Sequence, residues 1–284
     1  MVGAARVFGG NVEYKSFYKT VGGNEGSKCK HSTRLDTYGC GCSHDCKYCY
    51  AKSLLSFRGL WNPEEPASAD IEKIRRKVKR IPKEIVRLGG MTDCFQPVEK
   101  TRKVTYETIK ALNENGVPYL IVTKSAMVAE YLDILDPALA HVQVTITTTD
   151  DERSLTYEKA SVPSERIRAI EALDRAGIDT QIRLSPYIDS YVDTSVINNI
   201  KCSKMIVEFL RVNHWIRQWF NIDYSRWTHS EGGYQHLELD EKIRMLKPLE
   251  KRVSVCEDCT EHYEYWRDHV NPNKDDCCDL RTVN

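Results

Sequence analysis

Residues 42–49 read Cys-Ser-His-Asp-Cys-Lys-Tyr-Cys, which sets three thiols at a C-x3-C-x2-C spacing. Thiolates bind iron–sulfur clusters, and three of them from one short loop can each take one iron of a [4Fe-4S] cube. The fourth iron is then without a protein ligand and is open to chelation by a small molecule. That arrangement suits catalysis, whereas ferredoxin-type sites fill all four positions. Cys40 stands two residues upstream, so a zinc site built from Cys40, Cys42, Cys46 and Cys49 is the alternative. Structural zinc sites usually use two separated pairs, while these four cysteines crowd into ten residues, and the spacing favours the cluster.

The chain of 284 residues carries eleven cysteines, an odd number that cannot pair fully within one chain. Five fall between Cys29 and Cys49 and four between Cys256 and Cys278, which reads as metal binding rather than as a disulfide framework. In the second group, Cys256, Cys259 and Cys277 form a further candidate metal site for zinc or an auxiliary iron–sulfur cluster. The alternatives are that one of these thiols donates hydrogen at an active site, or that all are structural. With 41 basic and 41 acidic residues, the chain is not coated in charge for non-specific nucleic-acid binding. A local basic run, Lys73 to Arg87, is either a solvated helix face or a phosphate track, and Pro82 interrupts it. No apolar run reaches membrane-spanning length and the N-terminus lacks a signal-peptide core, so the expected address is cytoplasmic.

These motifs need a scaffold. Strand-like runs occur at residues 34–38, 89–92, 119–123, 142–148, 180–184 and 205–211, separated by helical patterns at 71–88, 103–115, 127–135, 164–176 and 194–199. Six strands, each followed by a helix or turn, imply an α/β fold with a parallel sheet, two strands short of a complete barrel. The expected organisation is an irregular N-terminal arm (1–32), a partial (β/α)6 barrel (33–211) and a Cys-rich C-terminal extension (212–284). Function is expected at the C-terminal ends of the strands.

The cysteine loop, with Tyr48 before its last cysteine, resembles the signature of the radical S-adenosylmethionine (SAM) superfamily. The longer run from Gly41 to Ala51 is similar to the branch of spore photoproduct lyase and the DNA repair photolyases. Gly90 to Glu99, Val122 to Ser125, Glu158 with Pro163 to Arg166, Ala176 to Ile178 and Ser185-Pro186 resemble that branch's later motifs in order. The likeness covers about residues 33–190.

The resemblance implies a [4Fe-4S] cluster on Cys42, Cys46 and Cys49, and SAM chelated at the open iron. Reductive cleavage would yield a 5′-deoxyadenosyl radical that abstracts hydrogen from the substrate. Tyr48 is then expected to line the adenine site, and Thr92 and Asp93 to meet the SAM amino group. Lys124 and Ser125 are expected near the SAM carboxylate, and Thr145, Thr147 and Arg183 near the ribose or carboxylate. The alternatives are a packing role for Tyr48, a turn or cap for Thr92 and Asp93, and one polar strand face for Thr145 and Thr147. Cys94 is a candidate hydrogen-atom donor, with burial as a small hydrophobe the alternative. Glu158 and Arg166 read as a structural ion pair.

The implied substrate is a pyrimidine base in DNA or a nucleoside, giving a lyase or DNA-modification chemistry, with flavodoxin or ferredoxin as electron donor. Trp215, Trp219, Phe220, Tyr224 and Trp227 are candidates for base stacking or for core. A radical SAM isomerase or tailoring enzyme acting on a hypermodified thymidine, a peptide or a small metabolite is the second reading. A non-catalytic zinc-binding nucleic-acid module is the reading from another class.

Overall fold

The computed structural model describes residues 6–8, 11–19, 28–82 and 84–281. Its strands in chain order are β1 (Arg6–Phe8), β2 (Asn11–Glu13), β3 (Phe17–Lys19), β4 (Thr33–Leu35), β5 (Tyr38–Gly39), β6 (Ala67–Ser68), β7 (Val86–Leu88), β8 (Tyr119–Thr123), β9 (Ala140–Ile146), β10 (Asp179–Tyr187), β11 (Lys204–Phe209), β12 (His229–Glu231), β13 (Tyr234–His236) and β14 (Arg252–Val255). Eight of them form one sheet in the order β14-β11-β10-β9-β8-β7-β4-β3. Neighbours from β4 to β14 all run parallel, and β3 lies antiparallel to β4 at the edge. This mostly parallel α/β sheet is consistent with a partial barrel.

Burial on both faces explains the composition of the central strands. Every residue of β9 is buried. Its Val142, Val144 and Ile146 join the main apolar core, and the helix Pro163–Arg175 packs on β9 and β10. The alternate positions are polar and pair across to β10. His141 Nδ1 meets Asp179 Oδ2 at 2.7 Å, and Gln143 Oε1 accepts from Arg183 Nη1 at 2.8 Å. Gln143 Nε2 donates to Gln181 Oε1 at 2.8 Å. The period of two thus separates an apolar helix-facing layer from a buried polar column that rises toward the C-terminal strand ends.

Several expectations shift. The expected helix 71–88 stops at Val78, after Asp70 caps its start by accepting from Glu72 and Lys73 amides. The second parallel strand is Val86–Leu88 rather than 89–92. Gly89 takes φ +83°, and a Cβ there would stand 2.6 Å from the Val122 carbonyl, so the chain leaves the sheet at this point. Residues 126–131 form a 3-10 turn instead of a longer helix.

The N-terminal arm is not irregular throughout, because β3 extends the sheet. The C-terminal extension also returns to the core. β14 adds a seventh parallel strand beside β11, and the tail beyond it reaches the polar column, where Gln181 donates to the Cys278 carbonyl. The Arg281 amide donates to Asp179 Oδ2 at 2.9 Å.

Glu158 and Arg166 form a fully buried ion pair, as the sequence indicates. Arg166 also donates to the carbonyls of Ser161 (2.6 Å) and Thr145 (3.0 Å). Removing one partner of such a pair leaves an uncompensated buried charge. Arg166→Ala is therefore expected to cost about 3–5 kcal/mol in denaturant unfolding. A loss below about 1 kcal/mol would mean that another cation takes over Glu158.

Candidate active site

The cysteine loop follows the β4 and β5 segments at the C-terminal edge of the sheet. Gly41 has φ +157°, and a Cβ on it would lie 1.9 Å from the Asn62 carbonyl oxygen, so only glycine fits. The Ser43 amide donates to the buried Gln96 Oε1 at 2.7 Å, and the Asp45 amide to the Cys42 carbonyl at 3.0 Å. Cys49 caps the helix Tyr50–Phe57, its sulfur accepting from the Lys52 amide at 3.5 Å. These restraints bring Cys42, Cys46 and Cys49 onto one cavity, while Cys40 does not line it. Burial pushes the Cys42 thiol up to about 12. Three sulfurs facing one cavity fit a cluster with one open position.

Residues that follow the parallel strands form much of the rest of the cavity. They include Gly89 to Asp93 after β7, Lys124 after β8, Arg211 after β11 and Cys256 to Asp258 after β14. Of the residues the sequence singles out for SAM, Thr92, Asp93, Lys124, Thr145 and Arg183 line it. Asp93 is already engaged by the protein. It accepts from Thr123 Oγ1 (2.7 Å) and the amides of Lys124 (2.7 Å) and Phe95 (2.8 Å). His44 Nδ1 stands 3.4 Å from its other side. Thr92 donates to the Tyr38 carbonyl. The Lys124 ammonium lies over the Tyr48 ring, 5.6 Å from its centre.

Other expected site residues lie elsewhere. Tyr48 is buried, donates to Glu158 and packs edge-on against Tyr157 and Phe220. Thr147 donates to Glu158 Oε1 at 3.1 Å, and Ser125 caps the turn at Ala126. None of these three lines the cavity. Cys94 is a correction. It is buried in the apolar core and absent from the cavity lining, because the turn after Asp93 points its side chain inward. The metal trio Cys256, Cys259 and Cys277 is corrected as well. Cys256 and Cys277 line the cavity, but Cys259 does not, and its sulfur donates to Glu231 Oε2 at 2.9 Å beside His229. In the aromatic stretch, Phe220 and Trp227 are core, whereas Trp215 is exposed and stacks on Trp219.

The sequence reading missed Glu208 and Arg211. Glu208 Oε2 accepts from Arg183 Nη2 and Ser185 Oγ, both at 2.6 Å. Burial raises the Glu208 carboxyl, but Arg183, Arg211 and Ser185 outweigh it and hold it at about 2. Arg211 pairs with Asp258 and covers the Tyr50 ring at 4.5 Å. The available signal was their position at and just beyond the end of β11, where charged residues interrupt an apolar strand.

A family model described as the radical SAM superfamily matches residues 37–188. Uncharacterized proteins of Mycobacterium tuberculosis and Mycobacterium bovis are each 27% identical over 167 residues, covering 54% of this chain and 49% of theirs. The chain thus spans about half the length of the curated relatives it matches. Among solved structures, spore photoproduct lyase complexed with dinucleoside spore photoproduct is similar at TM-score 0.59 and 14% identity, over 80% of this chain and 77% of that one. A doubly substituted form of that enzyme with bound AdoMet and the same dinucleoside gives 0.56 and 15% over the same shares. At these identities the likeness is one of fold.

Two outcomes follow from the geometry. Replacing Cys42, Cys46 or Cys49 with Ala is expected to abolish an oxygen-sensitive iron chromophore, and Cys40→Ala to retain it. Equal loss in Cys40→Ala would overturn the ligand assignment. Asp93 supplies the second. Burial raises its carboxyl, but His44 and the Lys124 and Phe95 amides outweigh it and hold it at about 2, below the ordinary 3.8. That stabilisation, about 2 kcal/mol, is in place above about pH 4 and is lost as pH falls through about 2. Asp93→Asn is expected to flatten this acid limb of unfolding free energy against pH, and unchanged profiles would remove Asp93 from that role.

Proposed function

This chain belongs to the radical SAM superfamily, and from that membership we propose a SAM-dependent radical enzyme acting on a pyrimidine base in DNA, with lyase or base-modifying chemistry. The observation that carries the reading is the convergence of three thiols from one eight-residue loop on a cavity bounded by the C-terminal ends of the parallel strands. Cys42, Cys46 and Cys49 would hold a [4Fe-4S] cluster. When bound, the cluster and SAM supply one-electron reductive cleavage of a carbon–sulfur bond and so a radical able to take hydrogen from an unactivated carbon.

The chain's own residues bind, orient and exclude water. Lys124 supplies an ammonium for the SAM carboxylate, and Asp93 fixes the Lys124 backbone that carries it. Thr92 and Asp93 spend their polar atoms on the protein, so their part is to position the strand-end turn. Arg183, held by Gln143 and Glu208, keeps its guanidinium against the cavity wall.

The substrate class rests on the similar enzyme's dinucleoside ligand and on the character of the cavity. Lys28, Arg87 and Arg211 bring cations, and Tyr50 and Tyr263 bring aromatic faces. The Arg87 Nε is buried and has no hydrogen-bond partner among the described residues. Cations beside aromatic rings suit a base joined to phosphate.

Reduced anaerobic protein with SAM is expected to release 5′-deoxyadenosine, read by chromatography. Lys124→Ala is expected to keep the cluster and weaken SAM binding about tenfold, as loss of one charge-assisted contact implies. No deoxyadenosine from a protein with a full cluster would reject the chemistry, and unchanged SAM affinity would reject the role of Lys124. Nucleoside analysis of DNA incubated with the enzyme tests the substrate, and DNA left unaltered beside turnover of a non-nucleic substrate would reject the pyrimidine.

A further inference from the structure

Four thiols outside the cysteine loop meet at the same cavity. Cys29, Cys256 and Cys277 line it, and Cys278 packs with Cys256 and Cys277 against Leu120 and Ile206. All four are free thiols.

This meeting is built by the fold. Cys29 precedes β4 and Cys256 follows β14, and these are the first and last parallel strands of the sheet. The residues around the cysteines are tied together. Lys28 Nζ donates to the Asp258 carbonyl and to Thr260 Oγ1 at 3.2 Å. His31 Nε2 pairs with Asp276 Oδ2 at 3.0 Å, and Asp276 Oδ1 accepts from the Cys278 amide at 3.0 Å.

The surroundings are cationic. Arg34 Nη2 lies 3.8 Å from Cys29 Sγ, and Arg87 lines the same cavity. Arg183 lines the cavity as well, and His31 pairs with the Asp276 carboxylate that caps the Cys278 amide. Cysteines used as apolar filler look different in this chain. Cys202 lies alone in the core, and its thiol donates to the Thr180 carbonyl at 3.4 Å. Four thiols converging beside a polar cavity, with cations able to balance thiolate charge, are a donor set for a soft metal.

We propose that Cys29, Cys256, Cys277 and Cys278 hold a second metal centre, zinc or an iron–sulfur cluster, on the wall of the cavity that the cysteine loop also lines. Metal binding replaces the four thiol protons, which are released to solvent. The centre fastens the segment before β4 to the segments after β14, and so closes the cavity between the two ends of the parallel sheet.

The test is metal and sulfide analysis of anaerobically purified full-length protein, alongside Cys42→Ala, Cys256→Ser and Cys277→Ser. One zinc per chain, or iron and sulfide beyond the roughly four irons of one cluster, is expected in the parent. Which metal appears decides between zinc and iron–sulfur. The extra metal is expected to persist in Cys42→Ala and to vanish in Cys256→Ser and Cys277→Ser. Its survival in Cys42→Ala separates this proposal from the assignment of the radical cluster. A measurement on the unmutated protein guards against misfolded variants. Maleimide labelling read by mass spectrometry is expected to spare these four cysteines until the metal is stripped. A parent protein with about four irons, no zinc and the four thiols labelled at once, or joined as disulfides, would overturn the second centre.

Discussion

Three segments of the cavity are joined at the carboxylate of Asp93. One oxygen holds Thr123 and the Phe95 amide, and the other holds the Lys124 amide and faces His44, which lies between Cys42 and Cys46. Gln96, three residues later, grips the Ser43 amide on the same loop. The end of β7 therefore fixes both the cysteine loop and the end of β8. Charge-assisted hydrogen bonds are strongest where water is excluded, and Asp93 is buried enough for that to hold. The sulfurs and the Lys124 backbone thus have a set separation before any ligand enters, which is the preorganisation that the proposed radical chemistry needs to confine a reactive species.

The inner polar column provides the rest of the framework. Asp179 with His141, Gln143 with Gln181, and Arg183 with Glu208 run along β9, β10 and β11 toward the cavity. Each buried charge has a partner, so the cost of desolvation is offset along the column rather than at one site. Arg211 and Asp258 extend the pattern to the loop after β14. The C-terminal tail plugs into the lower end of this column through Cys278 and Arg281, which couples the walls of the cavity to the far side of the sheet.

Much of this was legible in the chain. Three cysteines in eight residues pointed to one loop, whose sulfurs share a cavity, and alternating strand and helix patterns pointed to a parallel sheet. The misread parts have physical causes. Gly89 turns the chain out of the sheet, so the apparent strand at 89–92 is the strand-end loop and β7 lies just before it. Arg252 to Val255 is too short to announce itself, yet it pairs fully with β11. Tyr48 and Thr147 carry polar tips suited to a ligand, but Glu158 draws both into a buried network. Cys94 and Cys256 are indistinguishable as residue types. Only the direction of the turn after Asp93 and the return of β14 decide which faces the cavity. The partition of Cys259 from Cys256 depends on Glu231 and His229, which are distant in sequence.

The return of β14 also sets an order of events during synthesis. A ribosome releases residues 37–188, with the cysteine loop and most of the sheet, long before residues 252–281 emerge. Until then the cavity lacks the wall formed by Cys256 to Asp258, and the polar column is open at its lower end. Pairings that span more than 200 residues, such as His31 with Asp276, form late because the loop they close is long. Nascent chains therefore expose the cysteine loop to oxidants and metal carriers for the time needed to make the tail. Completion of the tail is the step that encloses it.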